Sequence, residues 1–409
     1  MTRTRLCVAA ALALCLAVAG SSARGGVTQA APAGTIVFTV FSGLPVFNGN
    51  ESCEGLYAVE PDGTKLRRLA APGLGANSGQ LYPSIAPAGG TLSFVQFANS
   101  SGTAAPLYRL DGANGAVRRL TVVRSHPLFF RFPWSPRGRY LLLPHQQGKS
   151  RLEIERLDAQ MGRVRRLTSG AADIWPVWSP DGATIAFARQ APVGSGSTAV
   201  WLMAADGTRE RRLASNASDA VWSPDRRRLA FFRPSLFSSP TGPSSAWVIG
   251  RGAGKARRVA GGLLNRGSGS LFWSPRGDEL LVLRNPKETS FPGAEHDPGD
   301  AYRLDLATGR SRLVARRVIP LGWYDDGIVY LHGRYVQGET VFEIRIVRPG
   351  ESGSRLVGVV DEEDVNIGSY PVRQLHPAAL APATGRFAPP AGAGDECLHR
   401  LGGLIRSLR

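Results

Sequence analysis

The groups in this sequence best equipped for chemistry are its histidines and two acidic runs. Imidazole nitrogens together with carboxylates can hold a divalent cation. If one is held here, His126, His145 and His332 are the candidates, because the elements discussed below bring only those three toward one mouth. No two histidines stand at a motif spacing, so neither a bound metal nor any cofactor is expected. The richest acidic run, "NPKETSFPGAEHDPGD" at 285–300, gathers Glu288, Glu295, His296, Asp297 and Asp300. Its spacing fits no EF-hand or zinc pattern, and its prolines and glycines mark a loop; it reads as a solvated acidic loop, as does "DEED" at 361–364. No Gly-x-Ser-x-Gly stretch occurs, so no nucleophilic serine on a strand-to-helix elbow is expected.

A second set is suited to recognition rather than catalysis. Tyr82, Arg131, Trp175, Asp219 and Ser270 lie near the starts of the strands predicted to run innermost, and they mix aromatic, cationic, acidic and hydroxyl groups. Such a set suits a peptide or a sugar. A solvated mouth with no ligand is the competing reading.

The elements that would position these residues come from a repeat. "WSPDG" at 178–182 recurs as "WSPRG" at 134–138, "WSPDR" at 222–226 and "WSPRG" at 273–277. Weaker copies lie at "IAPAG" (85–89) and "WYDDG" (323–327). The aligned first positions are Ile85, Trp134, Trp178, Trp222, Trp273 and Trp323, separated by 44 to 51 residues. Periods of that length with several strands each indicate propeller blades. In the copy at 175–214 the strands are "WPVW", "TIAFARQ", "AVWLMAA" and "RERRLA", with "SPDG" and "DGT" as turns. Each tryptophan ends an inner strand and is expected to fill space between neighbouring blades.

The fold expected is all-β: a propeller of four-stranded antiparallel blades, seven in number, with six or eight as alternatives. The stretches "GTIVFTVF", "GLYAVEPDGT" and "KLRRLA", starting at Gly34, Gly55 and Lys65, supply strands two to four of a first blade. The segment 376–388 is expected to return as its missing first strand and close the ring.

The start of the chain is read separately. Arg3 and Arg5 precede a 15-residue apolar run at 6–20 and small residues at 21–23, the pattern of a secretory signal peptide cut near Ala23. That run is shorter than the roughly 20 apolar residues of a membrane-spanning helix. The expected organisation is a signal peptide at 1–23, a linker at 24–33, a propeller at 34–388 and a C-terminal tail at 389–409 that Cys397 could tether. Cys7 and Cys15 leave with the signal, so an oxidising compartment would pair Cys53 with Cys397 where the ring closes.

The net charge of +17 comes from 49 basic against 32 acidic residues. Much of it recurs once per repeat as "LRRL", "VRRL" or "RRV", on the outermost strand, where charge guards a sheet edge. Charge spread in this way, on an exported chain, argues against nucleic acid as partner.

The "WSPDG", the "IAF" after it and the "ADGT…RRL" ending the repeat resemble the WD40-like repeats of the TolB family of periplasmic propeller proteins. The resemblance covers about 34–357. It implies a rigid binding platform at the cell envelope, periplasmic or secreted, without enzymatic activity. The partner would be an envelope or extracellular protein, peptide or glycan; no membrane span remains after cleavage, and the mature protein is expected as a monomer. Two features depart from that family: no α/β domain precedes the repeats here, and the blade count is seven rather than six. Partner binding by that family is therefore not transferred. Similar repeats occur in prolyl oligopeptidase-type peptidases, but the residues after 357 are too few for their catalytic domain. The architecture also resembles oligogalacturonate lyases, whose channel metal is held by histidines; the alternative function is therefore a metal-dependent lyase acting on acidic sugars.

Overall fold

The structure is a computed structural model that describes residues 15–16, 36–40, 55–60, 63–69, 80–87, 91–96, 104–111, 116–125, 132–148, 151–169, 172–190, 198–235, 243–252, 254–265, 270–285, 299–324, 326–336, 339–351, 353–361 and 394–408. The described residues are almost wholly β-strand, with one helix, Gly394–Ser407.

The repeat folds as its sequence pattern demands. Ala172–Trp178, Thr184–Gln190, Thr198–Ala204 and Arg211–Ser215 pair in order, antiparallel throughout. The turn "SPDG" closes on its own serine. Ser179 N donates to Thr184 O, Thr184 N donates back to Ser179 Oγ, and that hydroxyl donates to Asp181 Oδ1. Gly182 supplies φ +72°, which a side chain would resist. Ser135, Ser223 and Ser274 repeat the arrangement with Tyr140, Arg228 and Glu279.

The same four-strand order appears in Ser218–Trp222, Arg228–Arg233, Ser244–Gly250 and Arg257–Leu263, and in Gln80–Ile85, Thr91–Gln96, Ala104–Asp111 and Val117–Arg124. Two larger sheets have seven strands each. One joins Tyr140–Gln147, Arg151–Asp158 and Val164–Arg166 to the 172–215 group through a parallel pairing of Leu152 with Ala172. The other runs from Leu271–Trp273 to Arg355–Asp361, its long strand Ser311–Tyr324 pairing with neighbours on both sides.

Within a repeat the third-to-fourth turn is hydrogen-bonded onto the first-to-second turn. Ala159 N donates to Arg139 O, Ala205 N to Ala183 O, Arg251 N to Arg227 O and Leu306 N to Asp278 O. The two short turns of each repeat therefore share one end of the sheets, the turn end. The connections between repeats and between second and third strands leave from the other, the loop end.

The core lies between sheets. Trp178, Trp222, Trp273, Trp134 and Trp323 are all buried, and each such side chain taken out of water contributes about 1.5–3 kcal/mol. Strand interiors such as "TIAFARQ" show buried residues in succession rather than alternation, because both faces are covered.

The chain termini meet the expectations differently. The segment 376–388, expected to close the ring, lies outside the described residues. In its place the free edge of Ile36–Val40 pairs with Cys15–Leu16, inside the stretch read as a signal. Within 389–409, read as a tail, the helix Gly394–Ser407 packs on Arg67–Leu69 and Arg355–Asp361. Its Cys397, Leu401, Leu404 and Ile405 join a cluster with Ile36, Tyr57, Val341 and Val359, so the first and last sheets share a core. The helix was missed because its apolar residues are few and interrupted by Gly402 and Gly403.

Candidate functional site

Trp175, Asp219 and Ser270 each stand three residues before a repeated tryptophan, at the loop end of an inner strand. The strands of Trp175 and Asp219, and the strand of Tyr82, do not run straight there. Ala172–Trp178 slips register against its partner between Ile174 and Val177, Ser218–Trp222 between Ser218 and Val221, and Gln80–Ile85 between Leu81 and Ser84. Each is a β-bulge, a device that re-aims a side chain. At two of them the bulged residue is forced into the left-handed region, Trp175 at φ +53° and Asp219 at φ +56°. Such strain persists only where surrounding structure enforces it.

All three side chains are interior: Trp175 is 5% exposed, Asp219 4% and Ser270 0%. Tyr82 belongs to the bulged strand Gln80–Ile85, but its side chain lies outside the described residues, as does Arg131. The strands carrying Trp175 and Asp219 pack against one another, so these two positions sit in neighbouring sheets.

Around Asp219 the structure adds polar groups that sequence reading did not single out. Ser218 Oγ donates to Asp219 Oδ2 at 2.6 Å. Asn216, itself at φ +48°, accepts from Ser235 N at 3.2 Å, and Ser244 Oγ donates to Pro234 O at 3.2 Å. Ser218, Ser235 and Ser244 are buried. The polar run "SNASD" before the Trp222 motif was the available signal. Hydroxyl, amide, carboxylate and indole groups on a stiff backbone can hydrogen-bond and stack, the means by which peptides and sugars are held.

A second charged group lies on the same end of the 172–215 repeat. Asp173, fully buried, is held by a bidentate contact from Arg189, with Nε at 2.6 Å and Nη2 at 2.9 Å; Arg189 also reaches Glu210 at 2.8 Å. Burial raises the Asp173 carboxyl above its ordinary range despite that partner. Arg189 lies over the Trp201 ring at 4.7 Å.

The described candidates His145 and His332 each lie beside a carboxylate of a neighbouring strand. His145, on Tyr140–Gln147, has Nδ1 3.4 Å from Glu155 on the neighbouring strand. Burial raises the Glu155 carboxyl, opposed by His145 and Arg166. His332 has Nδ1 3.5 Å from Glu343, the residue paired with it across the strands. Glu343 is 1% exposed and receives Arg345 at 2.6 Å and Arg334 at 3.1 Å. Burial alone would raise its carboxyl, but His332, Arg345 and Arg334 together bring it down to about 2. Among the described residues no three His, Cys, Asp or Glu side chains are grouped to hold a metal ion; His126 lies outside them. Of the run at 285–300, Asp300 is described: it is 2% exposed and accepts from Arg317 N at 3.1 Å, a structural contact. Glu288, Glu295, His296 and Asp297 lie outside the described residues, as does 362–364.

Residues 46–226 match the TolB beta propeller domain. A stretch of 65 residues is 43% identical to Tol-Pal system protein TolB 1 of Novosphingobium aromaticivorans, spanning 15% of this chain and 14% of that protein. Among solved structures, an oligogalacturonate lyase in complex with manganese superposes with a TM-score of 0.55 at 15% identity, covering 78% of this chain and 86% of that one. A puromycin-hydrolyzing peptidase of Mycobacterium tuberculosis gives 0.53 at 17% identity, covering 81% of this chain and 52% of that one. At such identities the two structural likenesses show the fold alone. No helix among the described residues is long and apolar enough to cross a membrane. Through residues 46–226 the chain carries a TolB-like β-propeller domain.

Proposed function

We propose that this protein is an exported, non-catalytic seven-bladed propeller that binds an envelope or extracellular protein, peptide or glycan at the loop end of its sheets. The observation that carries this reading is the pair of bulges at Trp175 and Asp219, whose left-handed backbones place an indole and a carboxylate at corresponding positions of neighbouring sheets. A rigid sheet that spends strain on two adjacent positions, beside buried Ser218 and Ser235, has the character of a preorganised binding surface. Tyr82, Arg131 and Ser270 complete the set in this reading.

Export and ring closure belong to the same proposal. Cleavage near Ala23 would remove Cys15–Leu16 and free the edge of Ile36–Val40 for the segment 376–388. Support comes from the helix Gly394–Ser407, which already holds the C-terminal chain beside the first sheet. Cys397 is a bonded half-cystine, 2% exposed, and Cys53 is the partner that would remain in the mature chain.

The test separates binding from catalysis. Purified mature protein is incubated with oligogalacturonate and manganese while unsaturated product is followed by absorbance. In parallel, envelope extracts are crosslinked to the intact protein and to Trp175→Ala and Asp219→Ala variants. No turnover, with a defined adduct lost in both variants, supports the binding platform. Manganese-dependent product that disappears on changing His126, His145 or His332 establishes the lyase instead.

A further inference from the structure

We propose that the turn end of the sheets is a second binding surface, for an acidic polysaccharide carrying carboxylates along its length. This goes beyond the loop-end reading and does not depend on it. Four successive third-to-fourth turns present a cation at the same place: Arg163, Arg209, Lys255 and Arg310, all exposed. Arg137 and Arg276 add two more from the first-to-second turns at the same end. None of the six forms an ion pair with a carboxylate among the described residues.

The acids of these turns are already engaged. Asp158 is held by Arg139 and the amides of Gln160 and Met161, Asp181 by Ser179 and Arg251, and Asp225 by Ser223 and Arg228. Asp305 accepts from the amides of Ala307 and Thr308 and also feels Arg310, while Asp206 accepts from Thr208 and Asp278 from Ser274. At the loop end, by contrast, the acids Asp173, Asp219 and Asp300 are buried. Among the described residues the turn end therefore carries a set of exposed cations that no ion pair neutralises.

The turns that carry these cations are also tied to the repeats before them. Arg118 donates to Gln160 O at 3.0 Å, Arg156 to Ala205 O at 2.7 Å, Arg211 to Arg251 O at 2.8 Å and Arg257 to Leu306 O at 3.1 Å. Each bond ties one repeat to a turn of the next, so the backbone that carries the cations is held repeat to repeat. A cation recurring once per repeat suits a polymer whose charges also recur. Guanidinium forks match carboxylates in a bidentate manner, and all but four of the 49 basic residues are arginine. The exposed large apolar side chains among the described residues are Met161, Val164 and Leu313. None is aromatic, so among the described residues no exposed ring offers the stacking platform that single-stranded nucleic acid uses.

Alginate is the probe, with neutral dextran, duplex DNA and anionic lipid vesicles compared over a salt series. Alginate should bind more tightly than the other three, with affinity falling steeply as salt rises. The triple variant Arg163→Gln, Lys255→Gln, Arg310→Gln should lose tenfold or more in alginate affinity and flatten the salt dependence while melting as the parent does. Should that variant not fold, the pair Arg137→Gln, Arg276→Gln carries the same test with a smaller loss. Unchanged alginate binding in the variants, equal binding of dextran, or tighter binding of DNA or vesicles would overturn the proposal.

Discussion

The indole Nε1 of Trp178 donates to the carbonyl oxygen of Pro133 at 3.2 Å, across 45 residues of chain. Pro133 immediately precedes Trp134, the tryptophan aligned with Trp178 one repeat earlier. Trp134 does the same to Ser84 O at 3.0 Å, and Trp273 to Val221 O at 3.0 Å. At these three positions the repeated tryptophan is thus both a wedge between sheets and a hydrogen-bond donor to the previous repeat. Trp222 Nε1 makes no such bond. Trp178→Phe should therefore cost about 1 kcal/mol more than Trp222→Phe, the net worth of one hydrogen bond at similar loss of ring volume. Denaturant unfolding of the two variants checks this; equal losses would mean the bond contributes nothing.

Glu343 predicts an acid-sensitive junction. Its carboxyl falls from an ordinary 4.5 to about 2 on folding. A carboxyl depressed by folding contributes stability that is fully present above its ordinary value and lost as pH falls through the folded one. The last sheet should lose that contribution between about pH 4.5 and 2. Because Arg334 is also bonded to Leu408 O, the C-terminal helix should loosen with it. Glu343→Gln should cost about 2–3 kcal/mol at neutral pH, less than a fully buried pair because His332 and Arg334 are nearly half exposed. The parent and variant melting curves should converge as pH approaches 2. Curves that stay parallel across that range would rule the linkage out.

How far the sequence reached can be judged at individual residues. The four strands of the 172–215 repeat were legible because "WSPDG" sets one turn, "ADGT" another, and β-branched and aromatic residues fill what lies between. The packing role of Trp178 was legible from its recurrence, but its bond to Pro133 was not, since a donor's partner depends on how sheets stack. The arginines were assigned to edge protection; Arg211 and Arg257 in addition reach the next repeat, a contact no single blade contains. The candidate site was half visible. Position relative to the repeat located Trp175 and Asp219, whereas the bulges and the buried serines around them arise from register, which the residue pattern alone does not fix.

Peptide mapping without reduction should recover Cys397 linked to Cys53 in the mature protein. Cys397 sits among Leu401, Leu404 and the first sheet's Ile36 and Tyr57, so the link would fasten the helix at the junction of first and last sheets. Cys397→Ser should lower the melting temperature and expose the helix to protease before the sheets unfold. Recovery of Cys53 as a free thiol would end the pairing.

One repeat breaks its own turn rule. At the fourth position after the tryptophan, Gly138, Gly182 and Gly277 adopt φ +66°, +72° and +75°, while Arg226 is held at +66° in "WSPDR". A side chain in that region costs about 1–2 kcal/mol, and glycine would return about 0.5–1 kcal/mol of that through its freer unfolded chain. Arg226→Gly should therefore stabilise the protein by roughly 0.5–1 kcal/mol, the net of those two terms. The reverse change should hurt: in Gly182→Ala the new methyl would meet Pro136 Cδ at 3.3 Å as well as the backbone strain. Melting temperatures moving in opposite directions for the two variants would show that the turn's conformation, rather than the arginine's charge, sets the local stability. A lower melting temperature for Arg226→Gly would mean that the guanidinium makes a contribution larger than the strain it carries.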